Sequence, residues 1–259
     1  MRLLRLYATL FSMSLRGQLA FRTDLVFEIG RALIALVASM AALLAVFTRT
    51  DQLGGFSPIN AIALLGTFQI VSGLRQGLVE PNLRFNGTQV ANGSFDALLT
   101  QPAPAILLAS LGGAAPLALI QTVLGLVVVI AATLTSPTQP DLTAIAGWLV
   151  LVAAATVLMW ATRCIIAATV FWSIGLSLDV AYDAAWQLGA YPTTMLSRPL
   201  RAITTGVLVT FIATVPTAVL TGRLGPAWIL AGVTAAAIAV VIAVRLWTIG
   251  IRNYTSATS

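Results

Sequence analysis

LTAIAGWLVLVAAATVLMWATRCIIAATVFWSI, residues 142–174, contains one charged residue, Arg163. A helix needs about 20 mostly apolar residues to cross a hydrocarbon core about 30 Å thick. No water is available there to satisfy an open backbone, so a run of this kind reads as a transmembrane helix. Comparable runs occupy 25–47, 59–78, 105–134, 200–220 and 228–249. The whole chain has 259 residues, 59% hydrophobic and 8% charged, with a mean hydropathy of +0.96. Soluble domains carry about 25% charged residues. The expected fold is therefore all-α integral membrane, one transmembrane domain over 1–259 with six transmembrane helices and no room for a large soluble domain.

Between these spans the sequence turns quickly, with two exceptions. The links TRTDQLGGFSPIN (48–60), TSPTQPD (135–141) and TGRLGPA (221–227) are short and rich in turn residues. EPNLRFNGTQVANGSFDALLTQP (80–102) is a long polar interruption within an expected cytoplasmic loop, 80–104. Residues 175–199 form the other, carrying Asp179, Asp183 and Arg198 among apolar residues and ending near Tyr191-Pro192. We expect an interfacial helix there; a seventh crossing in its place would move the carboxyl terminus outside. Gly112, Gly113 and Pro116 mark a kink or close-packing point in the third span.

Arginine placement orients the chain. With six spans and an inside amino terminus, Arg2, Arg5, Arg16, Arg22, Arg84, Arg198, Arg201 and Arg252 fall at cytoplasmic segments or span ends, against Arg49 and Arg223 outside. That is the positive-inside pattern, with both termini cytoplasmic. Trp148, Trp172, Trp228 and Trp247 stand near span ends, where an aromatic belt would put them. Residues 1–22 lack a cleavage site after their apolar stretch. Arg2, Arg5, Thr9, Ser12 and Arg16 recur three or four apart, opposite Leu3, Leu4, Tyr7, Leu10 and Phe11. A basic stripe opposite an apolar one suits an elbow helix lying on the membrane surface, with its arginines toward lipid headgroups; a plain extension of the first span is the alternative.

What is missing restricts the chemistry. All 14 basic residues are arginine, with no lysine and no histidine. A phosphate-binding loop of the Walker type requires lysine, and Schiff-base catalysis does too. Without histidine there is no imidazole base and no histidine metal ligand. The single Cys164 lies in an apolar run and reads as a small buried residue. No catalytic residue, cofactor or metal site is expected. A pI near 10.7 comes from arginines flanking spans, with no basic stretch interleaved with aromatics, so nucleic acid is not an expected partner.

Ionisable residues within spans are the candidate polar sites. Glu28 and Arg31 are three apart and can pair on one helix face. Arg75 lies near the inner end of the second span, and Arg163 deeper in the fourth. Asp179 and Asp183, four apart, read as the solvated face of an interfacial helix. In the polar loop, Ser94 is a plausible helix N-cap and Pro102 a stop, with Phe95, Leu98 and Leu99 forming an apolar face. Such a short amphipathic helix is a candidate docking element.

Taken together, the chain resembles a permease of the type-2 ABC transporter class, in the branch whose membrane subunits often come as two non-identical partners. The resemblance rests on the basic amino-terminal helix, the six spans, the loop Gly93-Ser94-Phe95-Asp96-Ala97-Leu98-Leu99-Thr100-Gln101-Pro102, Tyr191-Pro192 followed by Arg201, and the stretch from Pro216 to Gly222. Gln101 stands where relatives usually carry a basic residue, and Pro216 is alone where they tend to have two prolines. The resemblance implies a cytoplasmic coupling helix that seats Gly93, Phe95, Asp96, Leu98, Leu99 and Pro102 against an ATP-binding-cassette ATPase subunit. It also implies a second permease subunit, identical or not, in a heteromeric inner-membrane complex that works as an exporter. The permease itself is then not an enzyme. A sparsely charged, apolar path would suit an amphiphilic or lipid-linked cargo. The alternative is an ion- or proton-coupled secondary transporter using Glu28, Asp179 or Asp183.

Overall fold

The structure, a computed structural model, describes residues 11–18, 22–83, 90, 93–101, 104–173, 178–192, 197–199 and 209–253, the side chains of Arg22 and Leu111 excepted. Apart from an isolated bridge between Leu53 and Phe56, every regular element among the described residues is helical. The elements are α1 (Arg22–Phe47), α2 (Pro58–Leu74), α3 (Asp96–Leu99), α4 (Ala105–Leu111), α5 (Leu119–Thr135), α6 (Leu142–Ala168), α7 (Asp179–Gln187), α8 (Thr214–Leu220) and α9 (Ala227–Asn253). A π-helical turn, Arg75–Val79, and a last α-turn, Glu80–Leu83, continue α2.

Five stretches are long and apolar enough to cross a membrane: Thr23–Phe47, Pro58–Leu83, Pro116–Thr135, Leu142–Phe171 and Ala227–Asn253. The expected span at 200–220 is represented by a shorter apolar helical piece, Val209–Leu220, because residues 200–208 lie outside the described set. Within the most apolar window of each stretch, 78% of α2 and its continuation is buried, against 11% of α1. The second span is thus the centre of the bundle. α1 turns Val26, Phe27, Ile34 and Val37 outward, as a lipid-facing helix must when the solvent is hydrocarbon.

Local sequence sets the helix starts. Ser57 caps α2, its hydroxyl accepting from the Asn60 N–H at 3.4 Å, with Pro58 as the first helical residue. Proline is suited to that position because its absent N–H would have no intrahelical acceptor. Asp141 caps α6 by accepting from the Ala144 N–H at 2.7 Å. This bond, with a second from the Thr143 hydroxyl, holds the Asp141 carboxyl below its usual range. α2 and α5 pack backbone to backbone. A Cβ on Gly125 would lie 2.7 Å from the Gly66 carbonyl oxygen, and one on Gly73 would lie 2.5 Å from the Thr122 nitrogen. Small residues allow this approach, and polar side chains then bond across it. Gln121 Nε2 donates to Gln69 Oε1 at 2.6 Å, and Thr122 Oγ1 to the Ile70 carbonyl at 3.2 Å.

The third span is broken rather than kinked. α4 ends at Gly112, and a 3₁₀ turn over Pro116–Ala118 leads into α5. Asn82, at the end of the second span, takes over groups that the break frees. Its amide Nδ2 donates to the carbonyls of Ser110 (3.1 Å) and Gly113 (2.9 Å), and its Oδ1 accepts from the Gly113 N–H at 2.6 Å. The Ala115 N–H bonds the Gly77 carbonyl of the π turn at 2.7 Å. Each irregular segment satisfies the other, which backbone at membrane depth requires.

Two of the four tryptophans expected at the membrane interface are core residues instead. Trp172 and Trp228 are exposed, but Trp148 and Trp247 are buried. Their indole N–H groups donate to Thr67 Oγ1 at 3.1 Å and to the Cys164 carbonyl at 2.7 Å. A buried indole needs such an acceptor.

Candidate functional site

A charged cluster sits where α2, α6 and α7 meet. Arg75 begins the π turn, and Glu80 follows it on the same helix. Arg163 lies on α6, and Asp179 and Asp183 lie one turn apart on α7. Arg75 Nε donates to Glu80 Oε1 at 2.8 Å, and Arg75 Nη2 also bonds Asp183. Arg163 Nη1 bonds Asp179 Oδ1 at 2.8 Å, and its Nε lies 3.3 Å from Glu80. Glu80 therefore bridges both arginines. Both guanidinium groups also lie over the Tyr182 ring, at 4.9 and 5.7 Å, with Arg75 4.7 Å from the Trp186 ring.

Burial divides the cluster. The side chains of Arg75 and Arg163 are 9% and 2% exposed, whereas those of Asp183 and Asp179 are 36% and 35%. A guanidinium this deep requires a carboxylate and further hydrogen-bond acceptors, because its desolvation exceeds what one loose pair returns. Aromatic faces add to the compensation. Asp179 and Asp183 are consequently not a merely solvated face, as their spacing suggested. Each turns inward to an arginine that is distant in sequence. Trp186 fixes α7 further, its Nε1 donating to Ser72 Oγ at 2.9 Å.

A cavity of about 900 Å³ lies beside the cluster. α1 contributes Asp24, Glu28 and Arg31, the second span Arg75, Gln76 and Glu80, and α7 Val180, Asp183, Ala184 and Gln187. Glu28 and Arg31 pair as expected from their spacing, and Arg31 Nη2 reaches Gln76 Oε1 at 3.1 Å, tying α1 to the π turn. Gln18, from the helical segment 11–18, also lines the cavity and accepts the Leu117 N–H at 3.1 Å. This lining is rich in charges and amides. Several of the chain's few charges are concentrated here.

The loop helix is placed differently from the sequence expectation. Gly93, at φ +74°, opens a turn into the single helical turn of α3, with Phe95 at its N-cap position. Phe95 is fully buried in this chain's own core, 5.4 Å from the Phe171 ring and 6.2 Å from Trp247. Those rings meet edge to face at 5.3 Å. Leu98 packs partly on the same core, while Leu99 is exposed. Phe95, expected on the docking face, is buried within this chain. A one-turn helix has an inner and an outer side, and the largest apolar side chain takes the inner one. Pro102, Arg2 and Arg5 lie outside the described residues; Arg16 is exposed on the segment 11–18.

Among the described residues no group of His, Cys, Asp and Glu is placed to hold a metal ion. The arrangement binds helices together through charge and leaves a cavity between them. The chain belongs to the ABC-2 family of transporter proteins, whose family model matches residues 33–258. No curated protein and no solved structure matches the chain.

Proposed function

We propose that this chain is the permease subunit of an ATP-driven exporter, forming a translocation path with a second permease subunit and driven by separate ATP-binding-cassette ATPase subunits. The observation that carries the reading is the seating of Phe95. α3 is held by a ring cluster with Phe171, just past α6, and Trp247, on α9. A push on the outer side of α3 therefore reaches two long helices through packed side chains. Asp96 and Leu99 form that outer side, with Leu98 below them. The carboxylates that a secondary transporter would need, Glu28, Asp179 and Asp183, face arginines in this fold, which favours the ATPase-driven reading over ion coupling. A cargo with an apolar body and a polar head suits a lipid-facing α1 beside a charged cavity.

Leu99→Asp should leave the permease folded, because Leu99 is exposed, yet abolish docking. Loss of a central apolar anchor costs about 2 kcal/mol or more at an interface. Co-purification with the ATPase subunits and cargo-stimulated ATP hydrolysis should both fall at least tenfold for that energy. Full association and stimulation in Leu99→Asp would remove α3 as the coupling element and strengthen the ion-coupled alternative.

The same reading puts both termini and the loop that follows the second span, residues 84–104, in the cytoplasm. With Cys164 replaced, single cysteines at Thr138 and Ser256 can be tested with an impermeant thiol reagent on intact cells. Thr138→Cys should label and Ser256→Cys should not; the reverse pattern would invert the orientation.

A further inference from the structure

We propose that α7 is a latched wall of the 900 Å³ cavity, closed by the Arg75–Asp183 and Arg163–Asp179 pairs, with Glu80 as the counter-ion that remains on the arginines when α7 swings away. Four residues of α7 line the cavity, so its position sets the width and charge of that space. Asp179 and Asp183 are one turn apart, and each meets an arginine from a different helix. Both pairs must part for α7 to leave, and each can be rejoined singly, which makes docking cooperative.

Glu80 makes the undocked state accessible. Two bare guanidinium groups in the protein interior would be prohibitive. Glu80 already touches both, on the helix that carries Arg75, and remains there when α7 leaves. The aspartates are about one-third exposed while docked, so water takes them up with a small further change in solvation. Docked, the cluster holds three carboxylates against two arginines; undocked, one carboxylate stays with the two arginines. The wall thus changes from net negative to net positive when α7 moves, without any proton transfer. A two-state element of this kind needs different contacts in its two positions, and these are different ion pairs.

The mechanism requires opposite responses from residues of one network. Removing the charge of Asp179 or Asp183 weakens docking. Removing the charge of Glu80 leaves both arginines wholly dependent on α7 and strengthens it. A network that merely stabilises the fold would respond in one direction.

Ser72 reports on α7, since it is buried and its Oγ accepts from Trp186. The full chain, carrying Ser72→Cys and Cys164→Ala, is reconstituted in lipid nanodiscs without ATPase subunits, and the rate of maleimide labelling is measured. This readout is on the permease alone, so it stands or fails separately from ATPase coupling. Asp179→Asn with Asp183→Asn should raise the rate about tenfold, the effect of losing two part-exposed ion pairs. Ala181→Asn, on an exposed position of α7 outside the cavity lining, should label as the parent does. Glu80→Gln should label at or below the parent rate. Added salt should speed labelling of the parent and leave the double aspartate variant unchanged, because the attraction between α7 and the arginines that salt would screen is already absent from that variant. Labelling that rises in Glu80→Gln as it does in the aspartate variant would overturn the latch, and so would a parent rate in the aspartate variant.

Discussion

Phe95→Ala is expected to destabilise the permease by about 3 kcal/mol or more, the range for truncating a buried phenylalanine. The side chain is fully buried beside Phe171 and Trp247, and its removal leaves a void bounded by two rings that themselves pack edge to face. α3 would lose the buried side chain at its N-cap that anchors it, since within the helix Leu98 is partly covered and Leu99 is exposed. Transport should therefore be lost at temperatures where the rest of the chain remains folded. Unfolding of the purified protein in mild detergent measures the first effect, and ATPase stimulation at low temperature the second. Phe95→Leu, which keeps most of the apolar contact, should cost about 1.5 kcal/mol or less. If Phe95→Ala unfolds within a few tenths of a kcal/mol of the parent, the ring cluster does not anchor α3.

Arg163→Met should have an effect of similar size for a different reason. Removing one partner of a buried ion pair costs about 3–5 kcal/mol, because a charge is stranded rather than because the pair was strong. Here Glu80 keeps Arg75 and Asp179 is partly exposed, which places the expectation near the lower end, about 3 kcal/mol. Arg163→Lys retains the charge but not the fork that spans Glu80 and Asp179, so it should fall between the parent and Arg163→Met. Denaturant unfolding of the three proteins in the same detergent gives the order. An Arg163→Met protein as stable as the parent would mean that the cluster is dispensable to the fold.

Much of the architecture is legible in the sequence because membrane insertion depends on run length and hydropathy, which are properties of one dimension. The limits of α1, α6 and α9 fall close to those expected from their apolar runs. Other features depend on partners far away in the chain. Gly112, Gly113 and Pro116 signal an irregularity, but only Asn82, about thirty residues earlier, determines that it becomes a full break. Asp183 looks solvated because its arginine is 108 residues away. Glu80 looks like the first residue of a polar loop until the second span is seen to continue through it to Leu83. The apolar face of the loop helix is plain in the sequence, but which of Phe95 and Leu99 turns inward depends on the rings of Phe171 and Trp247, far away in the chain, against which Phe95 packs.

The π turn at Arg75–Val79 has a consequence for register. On an ideal α-helix, residues five apart point about 140° away from each other, so Arg75 and Glu80 would face different neighbours. The wider turn absorbs one extra residue and brings Glu80 around to the side of Arg75, within 2.8 Å. In effect the helix carries a one-residue insertion whose product is an ion pair. Deleting a residue from this turn would keep the composition of the span nearly intact and still rotate Glu80 out from between the two arginines. The charge cluster is thus specified by phase as much as by residue type.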